Sequence, residues 1–325
     1  MSPKLKTCFT ELAGVRFPIQ CGAMQWLSRA PFVAAVANAG AFACLPAASF
    51  DSAEKLVEEI RKVRDLTDKP FGVNVSLFPA MRPISHEAMI DIVIEQGVKV
   101  IETAGRSPEP YLEKIRKAGL IHLHKCARVR DAVKVDRLGC HAVSIVGTEC
   151  GGHPSMEMVT SLVLLPMTVD AVSIPVLAGG GFFDGGTLVA ALAMGAAGVV
   201  MGTRFIATEE CGAHPHIKER LIQATECDTV ITQQSIRNPA RVLHNRWAVK
   251  VLDMEAQGAT LEELAPLING QVSREAWETG AVEDALLHCG QVVGRIKNVL
   301  PVKELVQQII AEAEAAIHRL EGLWA

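Results

Sequence analysis

The chain has 325 residues, 49% of them apolar, with 26 glycines and a formal net charge of −4. That length suffices for one large α/β domain or two ordinary ones, and the apolar content excludes a disordered chain. No block or stripe of Lys and Arg points to nucleic acid or an anionic membrane, and the apolar runs are too short and too broken by Gly and Pro to span a bilayer.

Short apolar runs alternate with amphipathic segments from the start. Residues 18–22 (PIQCG) predict a first strand, and 29–40 a helix stopped by Gly40. A second strand is expected over 41–46. In the helix over 51–67, Leu56, Ile60 and Val63 fall on one face, with Asp51 as N-cap and Glu54 three residues on. Third to sixth strands follow at 71–77, 98–105, 120–126 and 141–147, with helices over 86–97, 108–119 and 129–139 between them. A helix over 161–171, a seventh strand at 174–181, a helix from Asp184 and an eighth strand at 196–205 complete the series.

Strands that are apolar at nearly every position are buried on both faces, as in parallel sheets. Eight strand–loop–helix units predict an α/β fold, a closed (β/α)8 TIM barrel, over residues 1–210. A doubly wound dinucleotide fold would want G-x-G-x-x-G after the first strand, where CGAMQW stands. Beyond Phe205 the alternation stops. Residues 211–287 predict a smaller helical subdomain at the barrel mouth. Residues 288–325 predict a return segment and a C-terminal helix packed on the barrel. Nine cysteines without C-x-x-C fit a reduced, cytoplasmic chain, and MSPKLKTCFTELAG lacks the apolar stretch of a signal peptide.

In such a barrel the loops after the strands build the active site. The seventh and eighth loops carry AGGGFFDGG and VVMGTRF. Their glycines let backbone N–H groups approach an anion, and the Thr203 hydroxyl and the helix N-terminus after Asp184 add donors, so a phosphate cradle is expected there. Lys125 ends an apolar strand and needs an anionic partner or a wet cavity, or it snorkels to solvent. The loop SIVGTECGGHPSM after the sixth strand holds Glu149, Cys150, Gly151, Gly152 and His153. His153 is the imidazole best placed to exchange a proton or donate to developing charge; Cys150 has no neighbour that would lower its thiol pKa. HLHK and HPHI have chelating spacing but no third ligand, and no metal is assigned.

PIQCGAMQW, KPFGVNVSL, GTECGGHP, IPVLAGGGFFDG and AAGVVMGTRF together resemble the nitronate monooxygenase (2-nitropropane dioxygenase-like) family of FMN-dependent (β/α)8 oxidoreductases. The resemblance runs in order from Pro18 to Arg204 and continues weakly to CGQVVGRI. It implies that Gly22, Ala23 and Met24 lie beside a flavin ring, with Asn74, Lys125 and Glu149 around it. It places Gly151, Gly152 and His153 at the reacting group, His153 as the catalytic residue. It assigns the phosphate to Gly180, Gly181 and Gly202 with Thr203, counts Met201 among the cofactor-binding residues, and folds Gly290 and Gln291 back over the pocket. The implied reaction is oxidation of an alkyl nitronate with O2. MQW, IHLHKC and ECGGHP look closer to the NAD(P)H:quinone reductase branch, and FMN-dependent enoyl reductases share the scaffold. These branches add NAD(P)H, a quinone or an enoyl compound as partners; a homodimer is also compatible. A barrel binding a phosphorylated metabolite without redox chemistry is the reading from another class, with Lys125 as a Schiff-base or phosphate lysine.

Overall fold

The computed structural model describes residues 5–78 and 84–324; the tail of FPAMRP, from Pro79, lies outside the described residues. A short helix α1 (Cys8–Ala13) precedes the barrel. Then follow β1 (Ile19–Cys21), α2 (Ala30–Asn38), β2 (Phe42–Pro46), α3 (Ala53–Leu66), β3 (Gly72–Ser76), α4 (His86–Glu95), β4 (Val100–Ala104) and α5 (Leu112–Lys117). The series continues with β5 (Ile121–Cys126), α6 (Val129–Arg137), β6 (Ala142–Val146), α7 (Ser161–Ala171), β7 (Val176–Gly179), α8 (Gly185–Ala193) and β8 (Gly198–Met201). All eight strands pair in parallel and in sequence order, and β1 closes on β8 with Gln20 opposite Val200. This is the expected (β/α)8 barrel.

The strands divide their side chains between two faces, as period-2 geometry requires. Phe42, Cys44, Val100, Leu123, Ala142, Leu177 and Val200 form an inner apolar cluster, closed at the base by Phe9 and Ala13 of α1. Phe9 meets Phe42 edge-on at 6.1 Å, and Thr7 Oγ1 donates to the Ala197 carbonyl at 2.6 Å. The outward residues join the helices in a much larger core that includes Leu56, Ile60 and Val63 of α3. The N-cap of α3 is Ser52, whose side chain accepts from the Lys55 N–H, and not Asp51 as the sequence suggested. The first helical residue is Ala53, so Ser52 is the side chain three residues before the free N–H. Asp51 pairs with Lys55 instead.

After β8 come α9 (Thr203–Ile206), α10 (Pro215–Gln223), the antiparallel strands β9 (Thr229–Thr232) and β10 (Ala240–Leu243), then α11 (Arg246–Ala256), α12 (Leu261–Ile268), α13 (Gly270–Thr279) and α14 (Val302–Glu321). The β9–β10 hairpin adds two short strands to a region expected to hold helices and loops. Asn245 caps α11 by accepting from Ala248 N–H at 2.8 Å, and the apolar run before that cap is extended. Helix α14 buries Leu305, Val306, Ile309, Ile310 and Ala313 against α8 and α2, and so takes the eighth position in the ring of helices. Among the described residues no helix is long and apolar enough to cross a membrane.

Candidate active site

A cavity of about 690 Å³ opens at the C-terminal ends of the barrel strands, partly covered by Gly270, Ser273, Trp277 and His288 from the segment after β8. Its floor is polar because the inner face of the barrel changes character two residues above the apolar cluster. Glu102 on β4 is fully buried. Its Oε2 accepts from Gln20 Nε2 at 2.6 Å, and its Oε1 accepts from Asn74 Nδ2 at 2.6 Å and Lys125 Nζ at 3.1 Å. Lys125 therefore has its anionic partner, inside the barrel rather than in solvent. Burial works against the ammonium, but the Glu102 carboxylate outweighs it and holds the Lys125 pKa above its ordinary value. Glu102 was missed in the sequence. Its signal was the one carboxylate in the strand VIETA, on the same face as Val100.

The loop after β6 is clamped by the β9–β10 hairpin. Gly152 N–H donates to Arg241 O at 3.1 Å, and Arg241 N–H returns a bond to Gly152 O at 2.7 Å. Arg241 Nε also donates to Thr148 O at 2.9 Å. His153 Nδ1 lies 3.0 Å from Pro239 O just before β10. A carbonyl only accepts, so Nδ1 carries the hydrogen and Nε2 keeps its lone pair. The ring lies between Phe78 and His288, at 5.7 and 5.8 Å between centroids, and is accessible within the cavity. The surrounding protein desolvates it enough to lower its pKa below the ordinary histidine value, against the pull of the Pro239 carbonyl. The imidazole is accordingly neutral at pH 7, with one acceptor to offer.

On the opposite side, Gly180, Gly181, Gly202 and Thr203 line the cavity. Gly180 and Gly181 take φ of +84° and +85°, which glycine adopts without strain. A Cβ at Gly202 would meet no protein atom within 4 Å and would project into open space. Thr203 Oγ1 accepts from Gly290 N–H at 2.8 Å, leaving its own hydrogen to donate. These groups can cradle a phosphate. The N-terminus of α8 has fewer donors to offer than expected. Asp184 caps it by accepting from Thr187 N–H, and Gly185 N–H donates to Glu312 Oε2. Those donors are already taken by carboxylates.

Gly22, Ala23, Met24, Asn74, Lys125, Glu149, Gly151 and Gly152 all line the cavity. Glu149 is committed to its own chain: both carboxylate oxygens accept from Ser161 N–H at 3.0 Å, and this ties the loop to α7. Two candidates are not brought to the cavity. Met201 points its side chain into the outer core and contributes its carbonyl, which accepts from Gly22 N–H at 2.9 Å. Gln291 donates its backbone N–H to Glu149 O at 3.0 Å, while the neighbouring Gly290 lines the cavity. Burial pushes the Cys150 thiol up to about 12, which keeps it protonated and inert. His122 and His124 face outward, both within 2.8 Å of the Thr103 hydroxyl, and burial lowers them to about 3 and about 4.

A closed parallel barrel whose last two strands end in bare backbone, facing a neutral imidazole across an open mouth, defines a (β/α)8 enzyme. The chain belongs to the nitronate monooxygenase family, whose model matches residues 6–312, and it is an oxidoreductase of that family. It is 32% identical to a (3aS,4S,5R,7aS)-5-hydroxy-7a-methyl-1-oxo-octahydro-1H-indene-4-carboxyl-CoA dehydrogenase of Rhodococcus jostii, over 99% of this chain and 98% of the relative. Among solved structures it is similar to FabK from Thermotoga maritima, with a TM-score of 0.92, 33% identity, and coverage of 98% and 99% of the two chains. It is also similar to nitroalkane oxidase from Streptomyces ansochromogenes, with a TM-score of 0.82, 27% identity, and coverage of 96% and 99%.

Proposed function

We propose that the protein is an FMN-dependent oxidoreductase that oxidises a small alkyl nitronate with O2. The observation that carries this reading is the convergence, in one cavity, of Gly180, Gly181, Thr203 and the open backbone of Gly202 with the free Nε2 of His153. FMN fits the residues present. The glycines and Thr203 would hold its phosphate, while Gly22, Ala23, Met24, Asn74 and Lys125 would face its ring. When bound it would supply two-electron transfer between donor and acceptor.

The chain's own residues do the rest. Lys125, kept charged by Glu102, would offset negative charge gathering near the barrel axis. His153 would stand beside the donor and take or return one proton at Nε2; desolvation keeps that atom unprotonated and available at pH 7. Phe78, Trp26 and Trp277 would exclude water from the reacting end. Anaerobic addition of ethylnitronate should bleach the flavin absorbance of the purified protein, and O2 should restore it. A protein that takes up no FMN would overturn the reading in favour of a non-redox phosphometabolite barrel.

A second reading rests on the width of the mouth, where Arg128, Arg130 and Arg237 line the rim. Arg237 is exposed and makes no side-chain bond among the described residues. This suits a long donor or acceptor with anionic groups: NAD(P)H with a quinone, or an enoyl or other acyl thioester of the kind named for the Rhodococcus jostii relative. Bleaching by NADH or NADPH, with ethylnitronate inert, would select it. We also assign residues 211–287 to a subdomain over the mouth and the chain to a reducing, cytoplasmic setting, which its nine free cysteines suit.

A further inference from the structure

His288 lies outside every motif considered above, yet it lines the same cavity. Its ring stands 5.8 Å from that of His153, tilted at 45°. No hydrogen bond from its ring is found among the described residues, although its backbone is firmly held. Val242 and His288 form an antiparallel bridge, Leu243 N–H donates to Leu287 O at 2.8 Å, and Cys289 is fully buried. The next residue, Gly290, donates to Thr203. The segment also seats against the loop after β6 so closely that a Cβ on Gly151 would come within 2.7 Å of Cys289 Cα. A rigid backbone thus presents an imidazole with no structural partner to the cavity, across from the one already assigned to the reaction.

Burial and the neighbouring His153 lower the His288 pKa to about 3, so the ring is neutral at working pH. A neutral imidazole has one N–H to give and one lone pair. His153 spends its own N–H on Pro239 and faces the substrate as an acceptor. The two rings are therefore complementary: one accepts, and the other has a donor to spare.

We propose that His288 is a second substrate-contacting imidazole, donating a hydrogen bond to the oxygen atom of the substrate on which negative charge resides or develops, while His153 Nε2 handles the proton. This rests on the functional reading above and deepens it. The occupant must carry an oxygen of the nitro, nitronate or carbonyl class within reach of both rings.

Two replacements separate this role from simple packing. His288→Phe keeps a flat ring against His153 and removes the N–H; His288→Gln removes the ring and keeps an N–H donor. We expect His288→Phe to lower kcat/KM for ethylnitronate, or for 1,4-benzoquinone with NADPH, by about tenfold or more, the effect of one lost hydrogen bond. Calorimetric affinity for nitroethane should fall in parallel. His288→Gln should stay within about threefold of the parent in both. FMN content should be equal in all three proteins. A fully active His288→Phe, or an active His288→Phe beside an inactive His288→Gln, would overturn the proposal and leave His288 as a prop for His153. A parent protein that binds FMN but turns over none of these substrates overturns the functional reading, and this proposal with it.

Discussion

Lys125 Nζ sits 3.1 Å from Glu102 Oε1 inside the barrel, and the carboxylate that receives it is fully buried and shared with Gln20 and Asn74. Four strands, β1, β3, β4 and β5, are thereby joined by one carboxylate beneath the cavity. The pair is a poor source of net stability, because two charges have left water; breaking it is costly, because one charge is left behind.

Replacing Glu102 by Ala leaves the Lys125 ammonium without its counter-charge and the amides of Gln20 and Asn74 without an acceptor. The expected loss is about 3–5 kcal/mol, read as the urea midpoint at unchanged slope. A loss below about 1 kcal/mol would mean that Lys125 swings to solvent and that the buried pair does not organise the floor.

Gly202 separates the needs of the fold from those of the ligand. Its φ of −106° suits alanine, and the new Cβ would touch no protein atom within 4 Å. Gly202→Ala should therefore leave stability within about 0.5 kcal/mol and weaken FMN binding at least tenfold, measured by flavin fluorescence on titration. Unchanged FMN affinity would remove the phosphate from this cradle.

The barrel was legible because its strands are buried on both faces and its helices carry glycine stops, signals that local periodicity records. The cavity loops were legible because they follow the strands. What local pattern does not record is the partner of a side chain. Lys125 announced the need for an anion, but Glu102 is 23 residues earlier and meets it only through barrel closure. Asp184 reads as the start of an anion site until Glu312, 127 residues beyond Gly185, takes the adjoining N–H. The β9–β10 hairpin was hidden because ARVL runs into a helix and shows strand character only once Asn245 is seen as a cap. His288 had no motif at all; its place opposite His153 comes from tertiary folding.

Acid should unfold the protein earlier than its carboxylates alone dictate. His122, His124 and His288 are held neutral by burial, with pKa values of about 3, about 4 and about 3. In the unfolded chain each titrates near 6.5. Above that pH neither state is protonated and nothing is lost. Below it the unfolded chain binds three protons that the native protein refuses, so stability falls as pH falls, by up to about 4 kcal/mol per pH unit. His124→Asn should remove about a third of that slope between pH 6.5 and 5, measured by urea titrations at several pH values. An unchanged slope would mean that His124 protonates freely in the native state.

Arg241 ties the hairpin to the loop after β6 through its side chain as well as its backbone. Nε donates to Thr148 O at 2.9 Å and a terminal nitrogen donates to Thr229 Oγ1 at 3.0 Å, while its main chain bridges Gly152. Arg241→Met keeps the buried stem and the main-chain bridge but frees Thr148 and the loop leading to His153. Because a displacement of about 1 Å can cost 100-fold in rate, kcat should fall between about 10- and 100-fold with KM changed little. The acid limb of kcat should also move up toward about 6.5 as His153 gains water. Arg241→Lys should restore part of the rate, since its ammonium can reach one of the two acceptors. If Arg241→Met instead lowers only the urea midpoint and leaves both kcat and its pH limb in place, Arg241 is a structural tie, and His153 is positioned by Pro239 and the main chain alone.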